Sequence, residues 1–226
     1  GKFGYLDKKG NVVIPANYVY ESNAKTIPGF QKGMVKLKKD NKYGVLDKTG
    51  KVIIPFLYDG LYTSNGKYIP VYNIINGKNT WGIVSMQNKV LIPIVYEQLQ
   101  IDSNLIGIKQ NGKWGMKDVS GKNILPIEFD SLTPYAQNQV ILAQKGSQYG
   151  YIDAKGKWLF EKVKSVYTLS GCYEGMIMCT VNGKHGYLDL KGNEVIITKY
   201  DTAFGFGKSG LAKVGKKSAT SGAPTL

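Results

Sequence analysis

The chain has 226 residues, 42% hydrophobic and 20% charged, which excludes wholesale disorder and allows one sizeable core or several small stacked ones. No apolar run approaches the roughly 18–20 residues that cross a bilayer as a helix. The formal charge is +14 and all 30 basic residues are lysine. Without the bidentate fork of arginine, sequence-specific nucleic-acid reading is disfavoured, while attraction to an anionic polymer stays open beside a purely solubilising role.

From the N-terminus onward an aromatic-glycine step recurs: Phe3-Gly4, Tyr43-Gly44, Trp81-Gly82, Trp114-Gly115, Tyr149-Gly150 and, with histidine in the aromatic slot, His185-Gly186. The glycines lie 40, 38, 33, 35 and 36 residues apart, a period that marks units too small to bury a core alone and obliged to stack. In the first unit, residues 3–6 read as a strand, Asp7 to Gly10 as a turn and residues 12–14 as a second strand. Pro15, lacking a ladder donor, belongs at a strand end or edge. The same slots recur along the chain. The turn acid returns as Asp47, Asp118, Asp153 and Asp189, with Ser85 substituting. The proline returns as Pro55, Pro93 and Pro126, with Glu161 and Ile197 departing. The closing aromatic is Tyr18, Tyr58, Tyr96, Phe129 and Tyr200, with Lys164 departing.

Ahead of each later aromatic-glycine lies another apolar stretch, at 34–37, 71–72, 105–108, 140–142 and 176–178. Each is followed by a tight-turn signal: Asp40-Asn41, Asn76-Gly77, Asn111-Gly112, Gly146-Ser147 or Asn182-Gly183. No segment holds a 3.6-residue apolar period. The prediction is an all-β tandem array of six three-stranded antiparallel repeats over residues 1–217, with units starting near 3, 43, 81, 114, 149 and 185. Residues 218–226 read as a tail or linker.

Asn111-Gly112-Lys113-Trp114-Gly115, followed by Asp118 and Gly121, resembles the WG-repeat family, as do Gly1 to Asp7 and the Lys8-to-Pro15 segment. The resemblance runs to about Lys217; Glu161, Lys164 and His185 depart from it. It implies a tandem β-repeat without established catalysis, often in bacterial envelope or multi-domain proteins, and no particular ligand. The weak expectation for localisation is therefore periplasmic, extracellular or cell surface.

The chain opens on an aromatic-glycine strand, and residues 211–217 read as the strand that should precede one. Pairing of the two would complete the first unit, so a propeller-like closed ring is favoured over an open β-solenoid.

Reaction chemistry is sparse. His185 is the sole histidine and reads as an aromatic substitute; a Cys179/His185 nucleophile pair lacks an acidic orienter. Three His and Cys residues in all make a poor zinc set, and no metal or cofactor is expected. Cys172 and Cys179 would face each other if 174–177 formed a hairpin turn, but small apolar fillers are the plainer reading. Nine of the 16 carboxylates occupy repeat slots: five in the turns, and Asp59, Glu97, Asp130 and Asp201 after the closing aromatic. Nothing concentrates the rest, so an enzyme is not expected.

From each glycine to the closing aromatic the spacing is constant at 14 residues, and all length variation falls in the connecting segments. Segments 19–33, 59–69, 97–104, 131–138 and 165–175 are therefore the candidate binding surfaces. They carry Tyr20, Phe30, Tyr62, Tyr68, Tyr135, Tyr167 and Tyr173 among small polar residues. The leading expectation is a non-catalytic scaffold module recognising a protein partner through these connectors. A glycan or cell-wall-polymer module is the alternative, using aromatic faces for sugars and lysines for anionic groups. An enzyme with a composite site at the ring centre, tested at Glu97, Glu128 and Asp130, is the third.

Overall fold

Aromatic and β-branched runs punctuated by Asx turns give strands throughout, and among the described residues there is no helix. The computed structural model describes residues 1–19, 28–62, 67–102, 104–135, 140–160 and 168–217. The repeating sheet has four strands where three were expected. In the third sheet β6 (Gly60–Leu61), β7 (Tyr68–Ile75), β8 (Lys78–Ser85) and β9 (Val90–Tyr96) lie side by side in chain order. The same order holds for β10 (Gln98–Asp102), β11 (Leu105–Gln110), β12 (Lys113–Asp118) and β13 (Asn123–Phe129). It recurs for β14 (Ser131–Tyr135), β15 (Val140–Lys145), β16 (Gln148–Asp153) and β17 (Trp158–Phe160), and for β18 (Thr168–Tyr173), β19 (Met176–Val181), β20 (Lys184–Leu188) and β21 (Glu194–Tyr200). The extra strand comes from the connectors. A residue after the closing aromatic donates its backbone N–H across to the next strand, as Asp59 does to Tyr72 and Asp130 to Gln144. Nothing in the composition of such short segments announces a strand.

Earlier in the chain, β1 (Lys2–Leu6) pairs with β2 (Val12–Val19), and β3 (Met34–Lys39), β4 (Lys42–Asp47) and β5 (Val52–Tyr58) form a three-stranded sheet. Near the end, β22 (Thr202–Ala203) pairs with β23 (Val214–Gly215). The strand expected to complete the first unit thus pairs with Thr202 and Ala203. Asp201 donates to Gly215 across this pair just as Asp59 does to Tyr72, so β23 takes the second-strand position of its own repeat.

The proline-bearing strand explains why glycine follows the aromatic. Register breaks between Trp81↔Tyr96 and Ile83↔Ile92, so the bulged segment around Pro93 crosses directly over Gly82. A Cβ at Gly82 would lie 2.7 Å from the Ile92 carbonyl oxygen, and one at Gly4 only 2.2 Å from that of Ile14. Proline is accommodated because this strand is the last in its sheet.

The chain divides into two compact units. The first comprises residues 1–100, 108–111 and 118–122. In it Ile14 and Tyr18 pack with Val35, Leu37 and Leu46, and Val45, Ile54 and Tyr58 pack with Leu61, Ile69, Val71 and Val84. The second comprises residues 101–107, 112–117 and 123 onward. There Met116, Leu125 and Phe129 pack with Leu132, Ile141, Ala143 and Ile152, and Val140 and Tyr151 with Cys172, Ile177, Cys179 and Leu188. Each cluster joins consecutive sheets, as nearest-neighbour stacking requires. Leu46, Val84, Ile152 and Leu188 occupy one slot, three residues after the aromatic, and each is buried against the preceding sheet. Leu6, in the same slot of the first sheet, is 65% exposed.

Candidate functional site

The repeat slots make local chemistry first. Asp47 Oδ1 accepts the backbone N–H groups of Thr49 and Lys51 at 2.8 and 3.1 Å, and Asp7, Asp118, Asp153 and Asp189 repeat the arrangement. Ser85 Oγ does the same for Gln87 and Lys89. Side-chain hydrogen bonds from Asn11, Thr49, Ser120 and Asn193, with backbone donors added, hold Asp7, Asp47, Asp118 and Asp189 below the ordinary carboxylate range. A second device pairs the lysine before the aromatic with the acid after the closing aromatic. Lys42 reaches Asp59 at 2.7 Å and Lys184 reaches Asp201 at 2.6 Å, and Lys113 pairs with Asp130. These acids also take backbone N–H groups, from Ile74, Lys217 and Gly146 respectively.

The connector residues divide. Tyr62 is 57% exposed and its ring stacks on Trp81 at 5.7 Å. Phe30 packs edge-on against Tyr5 and is partly exposed, and Tyr173 lies over Gly171 and Gly205 with one side open. Tyr68 is only 5% exposed at the start of β7, so the surface reading fails there: its connector has become a central strand. Tyr135 lies in β14 opposite Val140. Tyr20 and Tyr167 lie outside the described residues.

One sheet departs from the repeat. In β3–β4 and β19–β20 a single residue separates the aromatic from the hairpin turn, whereas in β7–β8 three do: Lys78, Asn79 and Thr80. The turn Asn76-Gly77 has φ of 51° and 73°, the type I′ geometry that suits a tight hairpin. The hairpin is thus two residues longer per strand, and it carries Ile74 and Ile75, 55% and 51% exposed, out with it. Thr80 stands in the lysine slot and Glu97 in the acid slot. The long hairpin and the β9–β10 corner enclose an open groove of ≈ 1150 Å³, lined by Ile75, Lys78, Thr80, Trp81, Val95 and Glu97 among others. Trp81 is one of the lining residues, and its ring also contacts those of Tyr62 and, at 4.8 Å, Tyr72. Of the residues singled out from sequence, Trp81 and Glu97 line the groove, and Tyr62 touches it only through its stack on Trp81. The signal for the rest was present but unused: Asn76 precedes Trp81 by five residues, where Asn111 and Asn182 precede their aromatics by three.

The remaining candidates are engaged elsewhere. Cys179 is a free, buried thiol whose pKa burial pushes up to about 11, so it is protonated at neutral pH. It faces Gly186 across the ladder, while Cys172 faces Ile177, so the two cysteines are not opposite each other. His185 Nδ1 lies 2.9 Å from Thr180 Oγ1 and its ring sits opposite Tyr200. Glu128 pairs with Lys145 at 2.7 Å. Among the described residues no three His, Cys, Asp or Glu gather as metal ligands. No described helix is long and apolar enough to cross a membrane.

Small antiparallel sheets stacked through fixed slots define a tandem β-repeat protein. The chain belongs to the WG containing repeat family, whose profile matches residues 3–43, 43–78, 81–114, 114–148 and 186–218. No curated protein matches it at a significant level. Among solved structures it is similar to KlHsv2 with loop 6CD replaced by a Gly-Ser linker, at 10% identity and TM-score 0.44. That match covers 73% of this chain and 61% of the other. A eukaryotic initiation factor matches at 10% identity and TM-score 0.39, covering 93% and 75%, and the tricorn protease at 11% and 0.28, covering 84% and 26%. None of the three reaches the similarity of a shared fold.

Proposed function

We propose that the chain is a non-catalytic recognition module that takes a protein partner at the groove of the third sheet. The observation that carries this reading is the lengthened β7–β8 hairpin. Two extra residues per strand expose Ile74 and Ile75, and Thr80 stands where Lys42, Lys113 and Lys184 form ion pairs in their own sheets. An exposed apolar patch beside a stacked aromatic wall is the usual mark of an interaction surface. The repeats act as the rigid support that holds this one irregular edge.

The test is affinity capture with wild type, with Thr80→Lys and with a trimmed hairpin lacking Ile74, Ile75, Lys78 and Asn79. The reading expects both variants to keep the wild-type melting curve and to lose the same captured proteins. Capture unchanged by trimming would refute it. Stacked Tyr62 and Trp81 also favour, as a second reading, a glycan laid on the aromatic wall. A glycan array on which Tyr62→Ala loses binding that trimming leaves intact would support that reading instead.

For the architecture, the favoured arrangement is ring closure through a shared sheet. β22–β23 has the hydrogen bonding of a first and second strand, and β1–β2 that of a third and fourth. Extending the register of Val71↔Gly82 and Ala143↔Gly150 sets Val214 opposite Gly4 and Lys216 opposite Lys2. A Lys2→Cys/Lys216→Cys variant should then oxidise to an intramolecular disulfide. Exclusively intermolecular disulfides would indicate an open array completed by other copies.

A further inference from the structure

Backbone direction along the long hairpin identifies what the groove can hold. In the β7–β8 ladder, Ile75↔Lys78 and Asn73↔Thr80 flank the two-residue turn and bond each other, which turns the main-chain groups of alternate residues outward. The outward set on β7 is visible: Tyr72 accepts from Asp59, Pro70 from Tyr62, and the N–H of Ile74 is capped by the Asp59 carboxylate at 2.8 Å. The outward set on β8 is Asn79, Trp81 and Ile83. Trp81 and Ile83 are opposed by Tyr96 and Ile92 of β9, but β9 ends there, and Glu97 turns away to donate to Lys109. Asn79 therefore presents its N–H and C=O to the groove with no strand opposite. Such an edge is a template for another chain.

Resting on the recognition reading above, we propose that the groove takes up an extended acidic-apolar peptide segment of a partner protein, added as a further strand against β8 at Asn79. Pairing would set alternate side chains of the incoming strand toward Trp81 and Val95, which offer apolar contact. Lys78 lines the groove, is exposed and forms no ion pair among the described residues. Acidic side chains are drawn to the Lys78 end. The net charge of +14 steers the same class of segment from a distance.

The probe is a phage-displayed library of random linear peptides panned on the full chain, with enriched sequences synthesised for calorimetry. Enrichment of alternating acidic and apolar residues is expected, with protection of the Asn79 amide from hydrogen exchange in the complex. Asn79→Pro removes that donor without touching the β7–β8 ladder, because the N–H points outward, and it should weaken binding about tenfold or more. Asn79→Ala keeps the backbone and should bind nearly as wild type, with the melting temperatures of both variants as the folding control. Wild-type affinity in Asn79→Pro, an unprotected Asn79 amide, or no enrichment would overturn strand addition. If Asn79→Pro binds normally while the trimmed hairpin does not, the groove still recognises a partner and only the strand pairing fails. Peptides that bind the trimmed hairpin equally well would remove both readings.

Discussion

The hairpins β3–β4 and β7–β8 belong to successive sheets of the first compact unit and keep the same slots, yet their aromatic residues meet different company. The Tyr43 ring has the ammonium groups of Lys36 and Lys38 each 5.2 Å from its centroid, and Lys42 beside it reaches Asp59. Trp81 is covered by Tyr62 and Tyr72, and the residue before it is Thr80. One hairpin ends in a closed, charged cap; the other runs on and leaves a groove. In a repeat scaffold a small local change, two residues per strand with threonine in the lysine slot, is enough to leave a groove where the other hairpin is capped.

The sharpest way to break the comparison is through the slot three residues after each aromatic. Leu46→Ala removes a side chain buried among Ile14, Tyr18, Val35 and Leu37 and should cost about 2–5 kcal/mol in denaturant unfolding. Leu6→Ala makes the same chemical change at a 65% exposed position and should stay within about 0.5 kcal/mol. A Leu6→Ala cost matching that of Leu46→Ala would show that face of β1–β2 to be covered in solution.

Gly82→Ala should come next, at about 1–3 kcal/mol, because its Cβ meets the Ile92 carbonyl at 2.7 Å and backbone must move to admit it. Gly77→Ala in the turn of the same hairpin meets no atom within 4 Å, but its φ of 73° strains any side chain there. The two substitutions separate crowding from conformational strain: a volume series at position 82 should be steep, and one at position 77 flat.

Much of this was legible from residues. The Asp-to-Gly turns appear as read because a carboxylate with two backbone donors in reach is decided within five residues of chain. The Asn-Gly hairpins follow for the same reason, since φ is decided by the two residues at the turn. The fourth strand was not legible: β6 is the dipeptide Gly60-Leu61, held by hydrogen bonds to Pro70 and Tyr72 that no local propensity encodes. That also misplaced Tyr68, which looked like a connector residue and is a buried one. The groove was half legible. Tyr62 and Glu97 were singled out by composition and slot, whereas the hairpin length needed the spacing of Asn76 to Trp81 to be compared across units.

Acid should act on the turns in a way that distinguishes the third sheet. Asp7, Asp47, Asp118 and Asp189 have folded pKa values below their unfolded ones. Their stabilisation is therefore complete above the unfolded carboxylate pKa of about 4 and is lost as pH falls through the lower folded values. The melting temperature should fall through that window. An Asp→Asn quadruple variant should start lower at neutral pH and show a flatter decline. Ser85 carries no titrating group, so amide exchange at Gln87 and Lys89 should change least with acid.

The smallest effect expected is at the lysine slot, and it bears most directly on what separates the two hairpins. Lys42→Ala breaks a half-exposed ion pair at 2.7 Å and should cost about 1 kcal/mol or less, fading as salt rises. Asp59 keeps the Ile74 N–H as a donor, so the β6–β7 edge should hold. Thr80→Lys is the reciprocal change: it puts a lysine in the slot that Lys42, Lys113 and Lys184 fill, and should leave the melting temperature within a comparable margin. Its measurable consequence lies in the groove, where a lysine chain takes up space beside Trp81. If Thr80→Lys changes neither stability nor capture of a partner, the missing lysine is incidental and hairpin length alone defines the surface.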